Sequence, residues 1–299
     1  MSRLTGSQQE AMSDGPSQRG GTEAAIRHHY DLSNAFYALW LDDTMTYSCG
    51  LWFEADDLND LAGAQRRKLD FHLAAAGASR ARRILDIGCG WGSLLERALD
   101  HWQIESATGL TLSEAQFQYI SARENAGIQV KKESWIDYDP PHKYDSIVSI
   151  GALEHFASPG DSPDQKIGLY REFFQKCRSW LSPEGAMSLQ TIVYGTMRPD
   201  ENNAFIGTHI FPDSELPQPH EIVAAMSGLF ELVSLRNDRV QYGRTCDLWY
   251  QNLKHRRADA VAIVGEEKVR QYEAYLRLSS FGFYSGRVGL MRLALAPVI

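Results

Sequence analysis

Apolar positions in this chain change their spacing along its length. From about Glu23, the residues Ile26, Tyr30, Leu32, Phe36, Leu39 and Trp40 recur at roughly helical intervals, with Ser33-Asn34 as an internal break. Asp42 to Gly50 reads as a loop, and Leu58 to about Ala76 as a second amphipathic helix through Leu61, Leu69 and Leu73. Short apolar runs then alternate with helical ones. Strands are predicted at Arg83–Ile87, about Glu105–Leu110, Ile128–Lys131, Ser146–Ile150 and Ala186–Ile192. Helices are predicted from Ser113 and from about Gln165 to Leu181, late strands near Leu232–Leu235 and Leu290–Leu295, and a further helix over about Val261–Phe281. This alternation predicts an α/β fold with a parallel, doubly wound sheet, in which ligands bind at the carboxyl ends of the strands. The Pro- and His-containing stretch at about Tyr194–Pro219 is long for a connection and reads as a lid or cap.

The run Ile84-Leu85-Asp86-Ile87-Gly88-Cys89-Gly90-Trp91-Gly92 stands out within this pattern. A strand enters a turn with three glycines spaced two apart, and Ser93-Leu94-Leu95-Glu96-Arg97-Ala98 continues as a helix. Glycine permits positive φ and close approach of a ligand, and the free N–H groups of a helix N-terminus favour an anionic group. A nicotinamide dinucleotide site calls for an acid at the end of the second strand. Here that strand ends Gly109-Leu110-Thr111-Leu112-Ser113; Glu105 falls too early and Glu114 lies in the next helix. The lysine of a phosphate-binding P-loop is also missing. S-adenosylmethionine (SAM) is the common cofactor left. Thr111 and Gln116 would serve its ribose, Asp86 would hold the loop or orient the ligand through water, and Trp135 offers a flat face to adenine.

Bulk properties narrow the partners. The 299 residues carry a formal charge of -8, 43% hydrophobic and 11% aromatic residues. An acidic balance argues against nucleic acid and, more weakly, against docking on an anionic membrane. The basic run Arg80-Ala81-Arg82-Arg83 reads as a solvated approach to the first strand. Cys49, Cys89, Cys177 and Cys246 have no metal-ligand spacing, so no metal site is expected, and reduced thiols in a cytoplasmic protein are the simple reading. No stretch approaches the ~18 apolar residues of a spanning helix, so no stable membrane insertion is expected. Residues 1–22 are polar and read as a disordered or partner-ordered arm ahead of a single domain over 23–299, with a cap region at about 194–285. The arm and exposed apolar residues of the cap would support a homo-oligomer.

Taken together, several segments over about residues 28–295 resemble the cyclopropane fatty acid synthase family, with its mycolic acid cyclopropane synthases and methyltransferases. They are His29-Tyr30-Asp31-Leu32-Ser33-Asn34, Thr46-Tyr47-Ser48-Cys49, the Asp86–Gly92 loop, Gly109–Ser113, Glu154-His155-Phe156 and Ile210-Phe211-Pro212. The resemblance implies a class I (Rossmann-like) SAM-dependent methyltransferase with a seven-stranded sheet, N-terminal helices and a helical cap after the fifth strand. It implies SAM contacts at Tyr47, Ser48, Gly88, Gly90, Thr111, Leu112, Gln116, Trp135 and Ile150. Family members deliver a methyl group to an alkene, and the resulting carbocation loses a proton or is hydrated. Aromatic faces stabilise cations, and Tyr30, Phe36, Tyr47, Trp52, Phe156 and Tyr275 are the candidates.

In the family a bicarbonate serves as the base. Carried over residue by residue, Cys49, Glu154 and Tyr275 match its ligands. A histidine is expected in a His-Thr-Ile strand end, where this chain has Gln190-Thr191-Ile192. Glutamine donates a hydrogen bond but shuttles no proton. The anion is therefore held, held more weakly, or replaced by water or by Glu154 itself; His155 and His209 are further candidate bases. The phospholipid enzymes of the family carry an additional N-terminal domain, and this chain has only the polar arm before the first motif. With the acidic balance and Gln190, that favours a soluble hydrophobic substrate. The leading expectation is C-methylation of an isoprenoid or alkaloid-terpenoid alkene. The alternatives are cyclopropane formation on a fatty acyl chain, small-molecule N-methylation, and an inactive SAM-binding scaffold.

Overall fold

A computed structural model describes residues 33–198, 201 and 214–298. Tyr30, His209 and the segments 28–32 and 210–212 lie outside the described residues. Seven strands form one sheet: β1 (Arg83–Ile87), β2 (Ser106–Thr111), β3 (Ile128–Lys132), β4 (Tyr144–Ile150), β5 (Leu181–Tyr194), β6 (Phe230–Asn237) and β7 (Val288–Pro297). Their order is β3-β2-β1-β4-β5-β7-β6. The first five are mutually parallel, as the βα alternation predicts, whereas β7 runs antiparallel to both β5 and β6. The expected all-parallel sheet is thus a mixed one, because β6 and β7 are joined by helices that return the chain to the same end. Strand order reverses at β1 and β4, which opens a crevice at their carboxyl ends.

Nine helices are described: α1 (Asn34–Tyr37), α2 (Leu61–Ala75), α3 (Ser93–Asp100), α4 (Glu114–Ser121), α5 (Pro163–Trp180), α6 (Pro219–Met226), α7 (Arg239–His255), α8 (Arg257–Val264) and α9 (Glu266–Ser285). Local chemistry sets several starts. Ser162 and Gln165 form a capping box ahead of Pro163 at the first turn of α5, and the Asp60 side chain accepts from the Gly63 N–H to open α2. The helix α7 carried no clear period in the sequence. It is buried by packing rather than by propensity, with Tyr242 stacked on Phe283 of α9 at 4.3 Å between centroids.

Three apolar clusters follow from this layout. One packs α5 and α6 on a face of the sheet through Phe173, Phe174, Trp180 and Ile222. A second packs α2 and α3 on the other face through Leu69, Leu73, Leu94 and Leu95. The third is aromatic and roofs the strand ends: Phe36, Tyr37, Trp40, Trp91, Trp249 and Tyr272, from α1 and the turn after it, the loop after β1, and α7 and α9. The stretch 194–285, expected as the cap, contains α6 and β6 as well, and these belong to the sheet layer; its roofing part is α7–α9. The basic run before β1 is solvated as expected, with Arg82 paired to Glu105 at 2.8 Å on the surface. Among the described residues, no helix is long and apolar enough to cross a membrane.

Candidate active site

The glycine loop leaves β1 with Gly88, Gly90 and Gly92 at φ of 83, 54 and 87°. A Cβ on Gly88 would lie 2.7 Å from the Ala152 Cβ, whereas one on Gly90 would enter open space. The backbone therefore needs glycine at both positions, for clearance at Gly88 and for φ at Gly90. Above this loop lies an open cleft. All ten residues expected to hold the cofactor line it: Tyr47, Ser48, Asp86, Gly88, Gly90, Thr111, Leu112, Gln116, Trp135 and Ile150.

The polar groups of the cleft are arranged for a zwitterionic ligand with a ribose. Thr111 donates to the Gln116 side chain at 2.7 Å, which fixes the amide of Gln116 at the end of β2. Asp86 is 3% exposed, and its Oδ1 is buried without a hydrogen-bond partner. Burial pushes its carboxyl up to about 7, with Lys68 pulling the other way. An orphaned carboxylate oxygen beside a glycine turn suits the ammonium end of methionine. Lys68, on the inward face of α2, donates to the Ser48 hydroxyl at 2.8 Å, and burial lowers its ammonium to about 7. The residues present therefore fit SAM. Lys68 was not anticipated from the sequence. Its signal was present: Gln65, Lys68 and His72 form a polar stripe at helical spacing on the buried face of α2. Glu133 and Ser134, just after β3, line the cleft too and were also missed.

A second, larger chamber adjoins the cleft. Tyr47, Ser48, Gly151 and His155 line both, so they mark the junction. Beyond them the chamber is bounded by Glu154, Gln190 and Ile192 on one side and by Tyr242, Cys246, Tyr275 and Phe283 of the roof. Glu154, in a short turn after β4, accepts from the Ile192 N–H at 2.6 Å through Oε1, while its Oε2 is buried and unpartnered. Burial raises this carboxyl to about 7, against the lowering effect of its hydrogen bonds. His155 is held by the Ser214 hydroxyl at 2.8 Å, and burial pushes its imidazole down to about 4, so it is neutral near pH 7. Tyr275 receives a hydrogen bond from Tyr47 at 3.1 Å across the junction.

Other expected residues are placed differently. Cys49 lies close by but lines neither cavity: its thiol donates to the Gly50 carbonyl at 3.1 Å, and burial raises it to about 11. Phe36 is fully buried in the aromatic roof, and Trp52 packs in the same cluster under Arg244. Of the candidate cation-stabilising rings described, Tyr47 and Tyr275 face the chamber, and Phe156 faces the cofactor cleft. Trp135 borders the cleft while also packing against Phe156 and Phe173, so it is core and lining at once.

A seven-stranded sheet with a glycine-turn cofactor cleft at its switch point, opening into an apolar chamber, defines a class I SAM-dependent methyltransferase. Comparison with known proteins places it more narrowly. The family model described as mycolic acid cyclopropane synthetase matches residues 18–293, and the chain belongs to that family. It is 34% identical over 265 residues to the S-adenosylmethionine-dependent methyltransferase UmaA of Mycobacterium tuberculosis, covering 83% of this chain and 88% of that one. Among solved structures, it resembles the cyclopropane synthase MmaA2 from Mycobacterium tuberculosis with a TM-score of 0.82 and 30% identity, over 94% of this chain and 100% of that one. It also resembles the mycolic acid cyclopropane synthase CmaA1 complexed with SAH and CTAB, with a TM-score of 0.81 and 30% identity, over 91% and 97% of the two chains.

Proposed function

We propose that this enzyme methylates a carbon of an alkene in a long acyl chain, and that closure of the resulting carbocation yields a cyclopropane. The observation that carries this reading is the junction: a cofactor cleft meets an apolar chamber where Glu154 presents a buried, unpartnered carboxylate oxygen. Several relatives at 30–34% identity are named as cyclopropane or mycolic acid synthases, which favours an acyl chain over the isoprenoid alkene that the sequence suggested first. CmaA1 is described in complex with CTAB, and the mostly apolar lining of the chamber here supports an alkyl ligand.

SAM supplies an electrophilic methyl group when bound. The residues of the chain do the rest. Asp86, Lys68 and Ser48 orient the methionine end, and Thr111 with Gln116 receives the ribose. Tyr47 and Tyr275, joined through their hydroxyls, line the chamber beside the cofactor cleft and would stabilise positive charge developing there. A carbocation needs both a dry site and a base. Roof residues Tyr242, Cys246 and Phe283 exclude water, and Glu154 either takes the proton or holds a bicarbonate that does. Gln190 and Tyr275 line the same chamber and would donate to that anion. Cys49 joins this arrangement only through its backbone.

The test is transfer of label from isotopic SAM to a cis-9-octadecenoyl thioester, with the product identified by mass and by the cyclopropane proton resonances. A labelled cyclopropane, or a methyl-branched chain, supports the reading. Label appearing only in isoprenoid or amine acceptors overturns it. Depletion and re-addition of bicarbonate separates the two bases: activity insensitive to both assigns the proton to Glu154 alone.

A further inference from the structure

Behind the Gln190 wall of the chamber lies a fully buried arginine that no step above uses. Arg292 lies on β7 in register with Gln190 on β5, so the two side chains share one face of the sheet. Its guanidinium is 0% exposed and satisfied on several sides. Nε donates to the Gln190 Oε1 at 2.8 Å, Nη1 to the Asp238 carboxylate at 2.7 Å, and Nη2 to the Cys49 and Gly50 carbonyls at 3.1 and 3.0 Å. From the opposite side, the His72 Nε2 of α2 meets the same Gln190 oxygen at 3.3 Å, and its Nδ1 meets the Ser188 hydroxyl at 2.8 Å.

These contacts decide which way the Gln190 amide faces. Arginine has no acceptor, so only the carbonyl oxygen of Gln190 can meet it. His72 bonds to that same oxygen and therefore donates from Nε2, which leaves Nδ1 to accept from the Ser188 hydroxyl at 2.8 Å in preference to that hydroxyl's longer bond, 3.3 Å, to the Leu293 carbonyl. The oxygen is held by two donors, and the amide nitrogen is left for the chamber that Gln190 lines. We propose that Arg292 is a positioning residue for the reaction: it locks Gln190 with its N–H donor facing the chamber, and it ties this wall to the 45–50 loop that lines the cofactor cleft. The adjoining Asp238 neutralises the guanidinium. The chamber thus meets an oriented N–H donor rather than a formal positive charge, which suits a proton-accepting anion there without placing a full cation beside the substrate cation. An imidazole in place of Gln190 would offer the same donor but would open the wall to protonation. The inference rests on the proposed reading only for the role of the donor, which serves the proton-accepting oxygen in the chamber.

Two measurements on the full-length protein test it. In ¹⁵N-labelled protein, the Gln190 side-chain amide pair is identified by its loss in Q190M. A locked amide gives one narrow pair displaced from the other glutamines, and in R292K this pair broadens or moves to the ordinary position. Unchanged Gln190 resonances in a folded R292K protein would overturn the proposal. Q190M leaves the Arg292–Asp238 pair intact and serves if R292K fails to fold. The second measurement is turnover of the cis-9-octadecenoyl thioester at saturating SAM. Q190M and R292K lose kcat tenfold or more, with SAH affinity within twofold of the parent, and Q190H keeps more activity than either. A kcat within twofold of the parent in Q190M, or a change confined to KM, contradicts the role. Absence of turnover by the parent itself counts against the acyl-chain reading, while the amide resonances still decide the placement of Gln190.

Discussion

The cofactor cleft and the substrate chamber share a wall yet are built in opposite ways. Most of the cleft is assembled from short consecutive runs, each at the end of a parallel strand: 86–91 at β1, 110–112 at β2, 133–135 at β3 and 150–152 at β4; the 45–48 loop and Lys68 of α2 complete it. The chamber draws residues from Tyr47 to Val288, from the sheet, the roof helices and the start of β7. The cleft is therefore mostly a property of local backbone geometry, closed by the docked 45–48 loop and α2, and the chamber is a property of how distant elements dock. Damage should follow the same division. Changes in the loops act on SAM, and changes in the chamber act on turnover or on the acyl substrate.

The largest separation is expected from Glu154→Gln. The amide keeps the acceptor for the Ile192 N–H and removes the base, so turnover falls ~100-fold or more, as for loss of a general base. SAH affinity by calorimetry stays within twofold. Turnover near the parent value would remove Glu154 from the proposed chemistry and merge the two regions again. Gly90→Val tests the opposite side. Its φ of 54° lies in the left-handed region, where a side chain costs about 1–2 kcal/mol, and the added methyls enter the cleft. SAM affinity drops about tenfold or more, while a substrate-like alkyl ammonium still binds. Equal loss of both ligands would show that the cavities do not behave as separate units.

Phe281→Ala addresses the chamber mouth. Phe281 lines the chamber and is 65% exposed, so the change leaves the core untouched and raises KM for the acyl thioester a few-fold without altering SAM binding. An unchanged KM would place acyl entry elsewhere. The smallest effect concerns stability. The folded chain keeps the Glu154 proton up to about pH 7, whereas an unfolded one releases it near 4.5. Between these values the native state binds more protons than the unfolded state, so stability falls as pH rises, and above about 7 the penalty is constant. Glu154→Gln removes it. The variant should melt higher than the parent at pH 8 and close to it at pH 4, as read by calorimetry. For turnover the sign is reversed: the base must be ionised, so the parent loses rate as pH falls below about 7. Equal melting temperatures at both pH values would argue that Glu154 sits in a wetter place than its burial suggests.

Much of the cleft was legible because its signals are short-range. Glycine spacing, an acid-free β2 end and a tryptophan after β3 each act within a few residues of the strand that positions them. The polar stripe of α2 was equally readable as a pattern, but its meaning was not, since Gln65, Lys68 and His72 look like ordinary solvated positions until β5 and the 45–50 loop cover them. Arg292 gave even less warning. In sequence it is one charge within an apolar late strand, which argues against burial; in the fold it meets Gln190, Asp238 and two carbonyls at once. Cys49 shows the converse, a residue whose family match suggested a chemical role and whose thiol is turned to its own neighbour's carbonyl.

By itself, then, the sequence determined the parallel α/β core and the cofactor, and it singled out ten residues that line the cleft, because hydrophobic period and backbone-specific residues encode strand ends directly. The tertiary structure alone decided that β7 runs against its neighbours, that α7 and α9 roof the site, and that Glu154, Gln190 and Tyr275 face one chamber. Those outcomes depend on which apolar faces bury one another and on which buried polar atoms find partners. Both are settled between segments far apart in the chain, by packing and desolvation that no local pattern records.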